Sequence, residues 1–263
     1  MPEQNHNQVV PIPAFKDNYI WALTNGRRAA IIDPGDARPV LDYLARERLE
    51  LVAILATHHH PDHVGGVAEL TLAAGRGRDI PVYGPKNEPI STLTHPVAGG
   101  DRVAIPELGA EFDVLDIPGH TRAHIAYYGS KMVFCGDTLF ACGCGRVFEG
   151  TPAQLHASLQ KLAALPDTTL AYCGHEYTLA NIRFARTVEP GNAALAERER
   201  ADGKTREKSH PTLPTTIGLE KATNPFLRCG EPEIAQAAGR HRGAALTDPV
   251  EVFTAIREWK NTF

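Results

Sequence analysis

Thr57-His58-His59-His60-Pro61-Asp62-His63, THHHPDH, decides the reading of this chain. An apolar run, Leu51 to Ala56, precedes it and has the length of a buried strand. Val64-Gly65-Gly66-Val67 follows and leads into a helix-like run, Ala68 to Ala74. The stretch therefore sits on a strand-to-helix loop, at the strand end where open α/β sheets bind ligands. In extended backbone His58 and His60 point to one side, because side chains alternate with period two. Asp62 and His63 aim at a second point if a helix starts there. Imidazoles with a carboxylate suit zinc, iron or manganese.

Three more loops follow the same plan. Phe112 to Ile117 ends in Pro118-Gly119-His120, Met132 to Cys135 in Gly136-Asp137, and Thr169 to Cys173 in Gly174-His175. Each places a metal-ligand residue type after a strand and a glycine, which lets backbone approach closely. His59 falls between two of the candidates and should point away from them. His6, His95, His124, His156, His210 and His241 lack the strand-end setting and read as structural or solvated.

Outward from this loop, Val9 to Phe15, Tyr19 to Thr24 and Ala29 to Asp33 read as strands, with Asn25-Gly26 as a hairpin turn. Asp36 caps a helix whose Val40, Leu41 and Leu44 share a face. Ile80 to Gly84 and Arg102 to Ile105 are strand-like, and Pro85 to Gly100 reads as one long loop. His124 to Tyr128 pairs with Met132 to Cys135 around Gly129-Ser130, and Pro152 to Ala164 is an amphipathic helix. After His175 no strand alternation remains. Helices are expected over Tyr177 to Val188, Ala193 to Lys208, Glu231 to Arg240 and Pro249 to Lys260, the last marked by Asp248, Pro249 and Glu251. The expected division is residues 1–176, β-rich, then 177–263, helical.

Composition bounds the function. The chain has 263 residues, a formal charge of -4 and five cysteines. That length is ample for a core. The mild acidity argues against nucleic acid as a partner. No apolar run approaches the roughly 20 residues of a membrane span, and MPEQNHNQ carries no signal pattern. Cys135, Cys142, Cys144, Cys173 and Cys229 form no disulfide framework, and Cys142 and Cys144 read as small residues in a Gly-rich loop. A cytoplasmic protein is expected.

The HxHxDH loop resembles that of the metallo-β-lactamase superfamily. PAFKDNYIW, GDTLFACGCGRVFEGT, GHEYT and KATNPFLR resemble the hydroxyacylglutathione hydrolase (glyoxalase II) family within it, over nearly the whole chain. The resemblance implies an α/β fold, the αββα sandwich, followed by a small all-helical domain. It implies two divalent metal ions, zinc with iron and manganese as alternatives. His58, His60 and His120 hold one, Asp62, His63 and His175 the other, and Asp137 bridges them. Asp62 and Asp137 are then catalytic, together with a bridging hydroxide. The implied reaction hydrolyses S-(2-hydroxyacyl)glutathione, typically S-D-lactoylglutathione, to D-lactate and glutathione, the second step of methylglyoxal detoxification, in a monomer. Arg146, Phe148, Tyr177, Arg257 and Lys260 map to the glutathione-binding positions. Arg146 stands where some members have Lys, and Phe148 where Tyr is usual, so one hydroxyl is lost. From residues alone, another superfamily hydrolase, a one-iron persulfide dioxygenase and a metal-binding regulatory protein stay open.

Overall fold

A computed structural model describes residues 7–75 and 77–263. His6 and most of MPEQNHNQ lie outside the described residues. The chain divides into two compact units, residues 1–116 with 123–136, and 117–122 with 137–263.

The first unit runs β1 (Gln8–Ala14), β2 (Asn18–Thr24), β3 (Arg28–Ile32), α1 (Ala37–Glu47), β4 (Glu50–Leu55), α2 (Pro61–Val64), α3 (Val67–Gly75), β5 (Val82–Pro85), β6 (His95–Val97), β7 (Arg102–Ile105), β8 (Ala110–Asp116), β9 (Ile125–Gly129) and β10 (Met132–Gly136). Strands β1 to β6 form one sheet in sequence order. The first three pair antiparallel, with Ile12 opposite Ile20 and Trp21 opposite Ile32. The β3–β4, β4–β5 and β5–β6 pairs are parallel. Strands β7 to β10 form antiparallel hairpins.

Every residue of β2 is buried, as expected of a strand covered on both faces. On one face Ile20, Ala22, Ile31, Ile54 and Val82 pack with Val40 and Leu44 of α1 and Val67 and Leu70 of α3. Alternation leaves Trp21, Leu23 and Ile32 on the other face. There the Tyr127 hydroxyl of β9 donates to the Ala56 carbonyl at 2.9 Å and ties the second sheet to the end of β4. Helices, sheet and sheet are thus stacked in order.

The expected caps are present. Asp36 accepts from the Arg38 N–H at the start of α1. Two expectations differ. The Pro85 to Gly100 segment contains β6, whose His95-Pro96-Val97 adds to β5 at the sheet edge, a position that tolerates proline. The metal-loop helix comes in two pieces. The short α2 starts at Pro61 and turns Asp62 and His63 away from the strand direction, before α3 begins at Val67.

The second unit contains β11 (Leu139–Phe140), β12 (Gly143–Cys144), α4 (Pro152–Ala163), β13 (Leu170–Cys173), α5 (Thr178–Val188), α6 (Ala193–Glu207), β14 (Thr215–Thr216), α7 (Ile217–Thr223), α8 (Pro232–Arg242) and α9 (Pro249–Thr262). Thr151 and Gln154 close a capping box on α4. Asp248 accepts from the Val250 and Glu251 N–H groups at the start of α9. Contrary to the sequence reading, a strand does follow His175. Thr215–Thr216 pairs with Leu170 and Ala171, but two residues are too few to show alternation. For the same reason the β11–β12 pair was hidden in the Gly-rich loop.

Candidate metal centre and cleft

In the first unit the strand end at Ala56 delivers Thr57 and His58 into a fully buried setting, both 0 % exposed. Asp33, at the end of β3, accepts the Thr57 N–H at 2.7 Å and the Thr57 hydroxyl at 2.8 Å. With its proton committed to Asp33, the Thr57 oxygen accepts from His58 Nδ1, 3.0 Å away. His58 is therefore the Nδ1–H tautomer, and its Nε2 carries a lone pair. That Nε2 lies 3.1 Å from His60 Nδ1. Outer hydrogen bonds of this kind orient metal-binding imidazoles in general.

The second pair on the loop converges as well. His63 Nε2 stands 3.6 Å from Asp62 Oδ2, and His63 Nδ1 stands 3.2 Å from Asp33 Oδ2. Asn18 Nδ2 donates to the same Asp62 oxygen at 3.0 Å and fixes the carboxylate's direction. Asp33, His58 and His63, all buried, present ligand-type atoms within 4.8 Å of one another. His59 engages Glu88, but against expectation its ring does not part from its neighbour, lying 5.0 Å from the His60 ring centre. Its N–H donates to Glu88 Oε2 at 2.7 Å and its Nδ1 lies 2.8 Å from that oxygen. His124 is structural but not remote, since it is buried and stacks on His58 with ring centres 4.5 Å apart. Gly136 has φ +47, and a Cβ there would overlap the Thr57 hydroxyl and the His124 ring. Only glycine fits this strand end.

In the second unit Asp137, His120 and His175 come together. Asp137 Oδ2 lies 3.6 Å from His120 Nε2 and 3.3 Å from His175 Nε2, so one carboxylate oxygen faces both imidazoles. His120 Nδ1 lies 2.9 Å from the Arg146 carbonyl oxygen. A carbonyl only accepts, so Nδ1 is protonated and Nε2 presents its lone pair toward Asp137. Two imidazoles and one shared carboxylate fit a divalent cation by donor chemistry.

His120 and Asp137 floor a cleft of about 400 Å³ lined also by Arg146, Phe148, Tyr177, Arg257 and Lys260. The Tyr177 ring stacks on His175 at 4.7 Å, and the Phe148 ring meets His120 edge-on at 5.3 Å. Phe148 is 62 % exposed. Arg257 is buried, donating from Nη1 to the Cys144 carbonyl at 2.9 Å and from Nη2 to Asn261 Oδ1 at 3.2 Å. Lys260 is half-buried, with Nζ 5.1 Å from the centre of the Phe184 ring. Burial first, and then the neighbouring Arg257 charge, pull its pKa down to about 8.

The cysteines stay outside this chemistry. Burial pushes the Cys142 thiol up to about 12 and also raises that of Cys144. Neither is a thiolate near neutral pH. Sequence reasoning missed Asp33, read only as a turn residue, and Asn18 and Glu88, which carry no local signal. Asp33 had one, being a carboxylate at a strand end like the candidate Asp137.

A family model for the metallo-beta-lactamase superfamily matches residues 15–175, and one for the hydroxyacylglutathione hydrolase C-terminus matches 176–263. The hydroxyacylglutathione hydrolase of Nitrosomonas eutropha is 58% identical over 255 residues, covering 97% of this chain and 98% of that one. Its Nitrosomonas europaea counterpart is 56% identical over 97% and 96%. Among solved structures, ETHE1 from Myxococcus xanthus aligns over 98% of this chain and 99% of its own, with 26% identity and a TM-score of 0.64. TTHA1623 in a di-iron-bound form aligns over 84% and 100%, with 28% identity and a TM-score of 0.57. The fold class is therefore α/β, the αββα sandwich with a helical C-terminal segment. The chain belongs to the hydroxyacylglutathione hydrolase family of the metallo-beta-lactamase superfamily.

Proposed function

We propose that the chain hydrolyses S-(2-hydroxyacyl)glutathione, S-D-lactoylglutathione above all, to a 2-hydroxy acid and glutathione, the second step of methylglyoxal detoxification. One observation carries this reading. His120 and Asp137 share a single cleft with three cationic side chains, Arg146, Arg257 and Lys260. Glutathione brings carboxylates, and a chain of formal charge -4 can attract them only through such a local cluster.

The ligand set we propose has His58, His60 and His120 on one divalent ion, Asp62, His63 and His175 on the other, and Asp137 shared. The position of Asp137 Oδ2 beside both His120 and His175 supports the sharing. Zinc is the preferred metal for this nitrogen and oxygen set, with iron and manganese as alternatives. When bound, such ions lower the pKa of water from about 15.7 to about 7 and draw charge from a carbonyl oxygen.

The chain's own residues do the rest. Thr57 and the Arg146 carbonyl hold His58 and His120 in the Nδ1–H tautomer, each with Nε2 free of its proton. Asp62 and Asp137 orient the attacking hydroxide by accepting its proton in a hydrogen bond. Arg146, Tyr177, Arg257 and Lys260 hold the peptide, with Phe148 packing at the rim. No side chain is needed as acid for the departing sulfur, since a thiol pKa near about 8.5 makes thiolate a competent leaving group.

In the same proposal residues 177–263 form the substrate-binding domain after a catalytic 1–176, and the protein is a cytoplasmic monomer. Among the described residues no helix is long and apolar enough to cross a membrane. A one-iron dioxygenase or a regulatory metal protein is not favoured, because relatives named hydroxyacylglutathione hydrolase span almost the whole chain. Metal quantification alongside turnover of S-D-lactoylglutathione and of a β-lactam tests the reading. About two ions per chain with turnover of the thioester alone is expected. Metal content with no thioester turnover would overturn it.

A further inference from the structure

Each residue from Phe140 to Cys144 has a backbone group held by a side chain of the second unit. Asn224 Nδ2 donates to the carbonyls of Phe140 at 3.2 Å and Gly143 at 2.8 Å. Asn181 Nδ2 donates to the Ala141 carbonyl at 3.0 Å, and Arg257 Nη1 to that of Cys144 at 2.9 Å. The Cys142 N–H donates to Glu220 Oε2 at 2.8 Å. The anchors come from α5, α7 with its C-cap, and α9. The anchored segment leads directly to Arg146.

Cys142 is the strained point. Its φ is +56, in the left-handed region that L residues other than Asn and Asp rarely adopt. Its side chain is buried with Ile182, Ala185 and Leu195, so packing and backbone strain meet at one residue. A conformation of this kind persists only where the surroundings over-determine it. Glu220 is the group that does so.

Glu220 is 0 % exposed. Besides the Cys142 N–H, its Oε2 accepts from Asn224 Nδ2 at 2.9 Å, and its Oε1 accepts from the Thr215 hydroxyl at 2.6 Å. Arg198 Nη1 lies 2.7 Å from Oε1. Arg198 is itself buried, donating to Thr223 Oγ1 at 2.7 Å and to Asp202 Oδ2 at 3.2 Å. A buried ion pair is a poor device for stability alone, because desolvation offsets its attraction. What the pair supplies here is direction: Arg198 and Thr215 fix one carboxylate oxygen, and the other is left aimed at the Cys142 N–H.

We propose that Glu220 is a positioning residue for substrate recognition. With Asn224 as its partner, it sets the 140–144 backbone so that Arg146 stands at the cleft and the Cys144 carbonyl meets Arg257. Glu220 lines no part of the cleft and acts through the segment it holds. The inference rests on the reading of that cleft as the glutathione site, and it deepens that reading.

The test uses the full-length, metal-loaded chain. Glu220→Gln keeps the shape and one acceptor but puts an NH2 group against the donors on one side, either Arg198 and Thr215 or the Cys142 N–H and Asn224. Thr215→Val is the milder variant, removing one of the hydrogen bonds that orient Glu220. Glu220→Gln should raise KM for S-D-lactoylglutathione about ten-fold, and Thr215→Val a few-fold, with kcat within about three-fold of wild type. Metal content should stay unchanged. The inhibition constant of a non-hydrolysable S-alkylglutathione should rise in parallel with KM. Adding Cys142→Gly to Glu220→Gln should recover part of the lost affinity, since glycine adopts the left-handed backbone without strain. Amide exchange at Cys142 should quicken in both single variants, a readout that needs no substrate. Wild-type KM in both folded single variants, or a fall in kcat with KM unchanged, would overturn the proposal. If the wild type leaves the thioester untouched, the substrate reading falls, and S-alkylglutathione binding and exchange at Cys142 still decide the role of Glu220.

Discussion

Arg257 and Lys260 stand one helical turn apart on α9, yet their alanine variants should fail in different ways. Lys260 offers a single half-buried ammonium. Loss of a hydrogen bond to a charged group costs about 1.5–3 kcal/mol, or about 10- to 150-fold in binding. Lys260→Ala should raise KM by an amount in that range and leave kcat near wild type, because the contact acts on ground and transition states alike. Stability should hold or rise. Burial lowers the Lys260 pKa from 10.5 to about 8, so folding disfavours its charge and removing it relieves a cost. Arg257 would do two jobs in the proposed site, since its Nη1 also satisfies the Cys144 carbonyl. Arg257→Ala leaves that acceptor without its donor, a further cost of about 1–3 kcal/mol. At about 2–4 °C per kcal/mol for a chain of this size, the melting temperature should fall by about 2–12 °C. Steady-state kinetics with S-D-lactoylglutathione and thermal melts on metal-loaded protein read both effects. If Lys260→Ala melts as early as Arg257→Ala, or if both keep wild-type KM, the assignment of separate roles is wrong.

Only protonated Lys260 attracts a carboxylate, so KM should be flat below about pH 8 and rise above it, and Lys260→Ala should abolish the rise. Between about 8 and 10.5 the unfolded chain holds that proton more tightly than the folded one, so this group's contribution to stability increases with pH there, measurable as a smaller gain in melting temperature in the alanine variant. Asp137→Asn should lower metal content and rate together, because an amide is a poor bridge between cations. Full metal content with full rate would refute the sharing. Asp62→Ala should strip one ion in preference to the other, and metal titration showing equal, joint loss would contradict the ligand partition. Asp33→Asn should loosen Thr57 and His58 and weaken metal retention about 10- to 100-fold, read by competition with a chelator.

The strand ends were legible because apolar runs stop abruptly at Gly-His, Gly-Asp or Thr-His. A metal-ligand residue type at a strand end needs no long-range information to be seen. The helix starts at Ala37 and Pro249 were legible too, since Asp36 and Asp248 act within three residues of themselves. The supporting residues were not. Glu88 reaches His59 across 29 positions, and Glu220 reaches Cys142 across 78. Nothing in their local sequence announces either partner. Asp33 was visible but read as turn chemistry, because a carboxylate before Pro34-Gly35 satisfies that simpler account. The β6 and β14 strands escaped for a different reason. They have three and two residues and exist only because a neighbouring strand offers unpaired backbone.

The hydrogen bond from His120 Nδ1 to the Arg146 carbonyl has an evolutionary consequence. Arg146 gives its main chain to the His120 imidazole and its side chain to the lining of the cleft. Every amino acid brings the same carbonyl, so an exchange of arginine for lysine at 146 would leave the imidazole its tautomer and, on the proposed reading of the cleft, retune affinity. Its neighbour has no such freedom. A Cβ on Gly145 would stand 3.0 Å from His120 Nδ1 and overlap the Asp137 carbonyl. Adjacent positions thus differ sharply in evolvability. On the proposed reading, selection on substrate preference would have an adjustable site at 146, one residue beyond a site where almost any change would disturb His120 and Asp137.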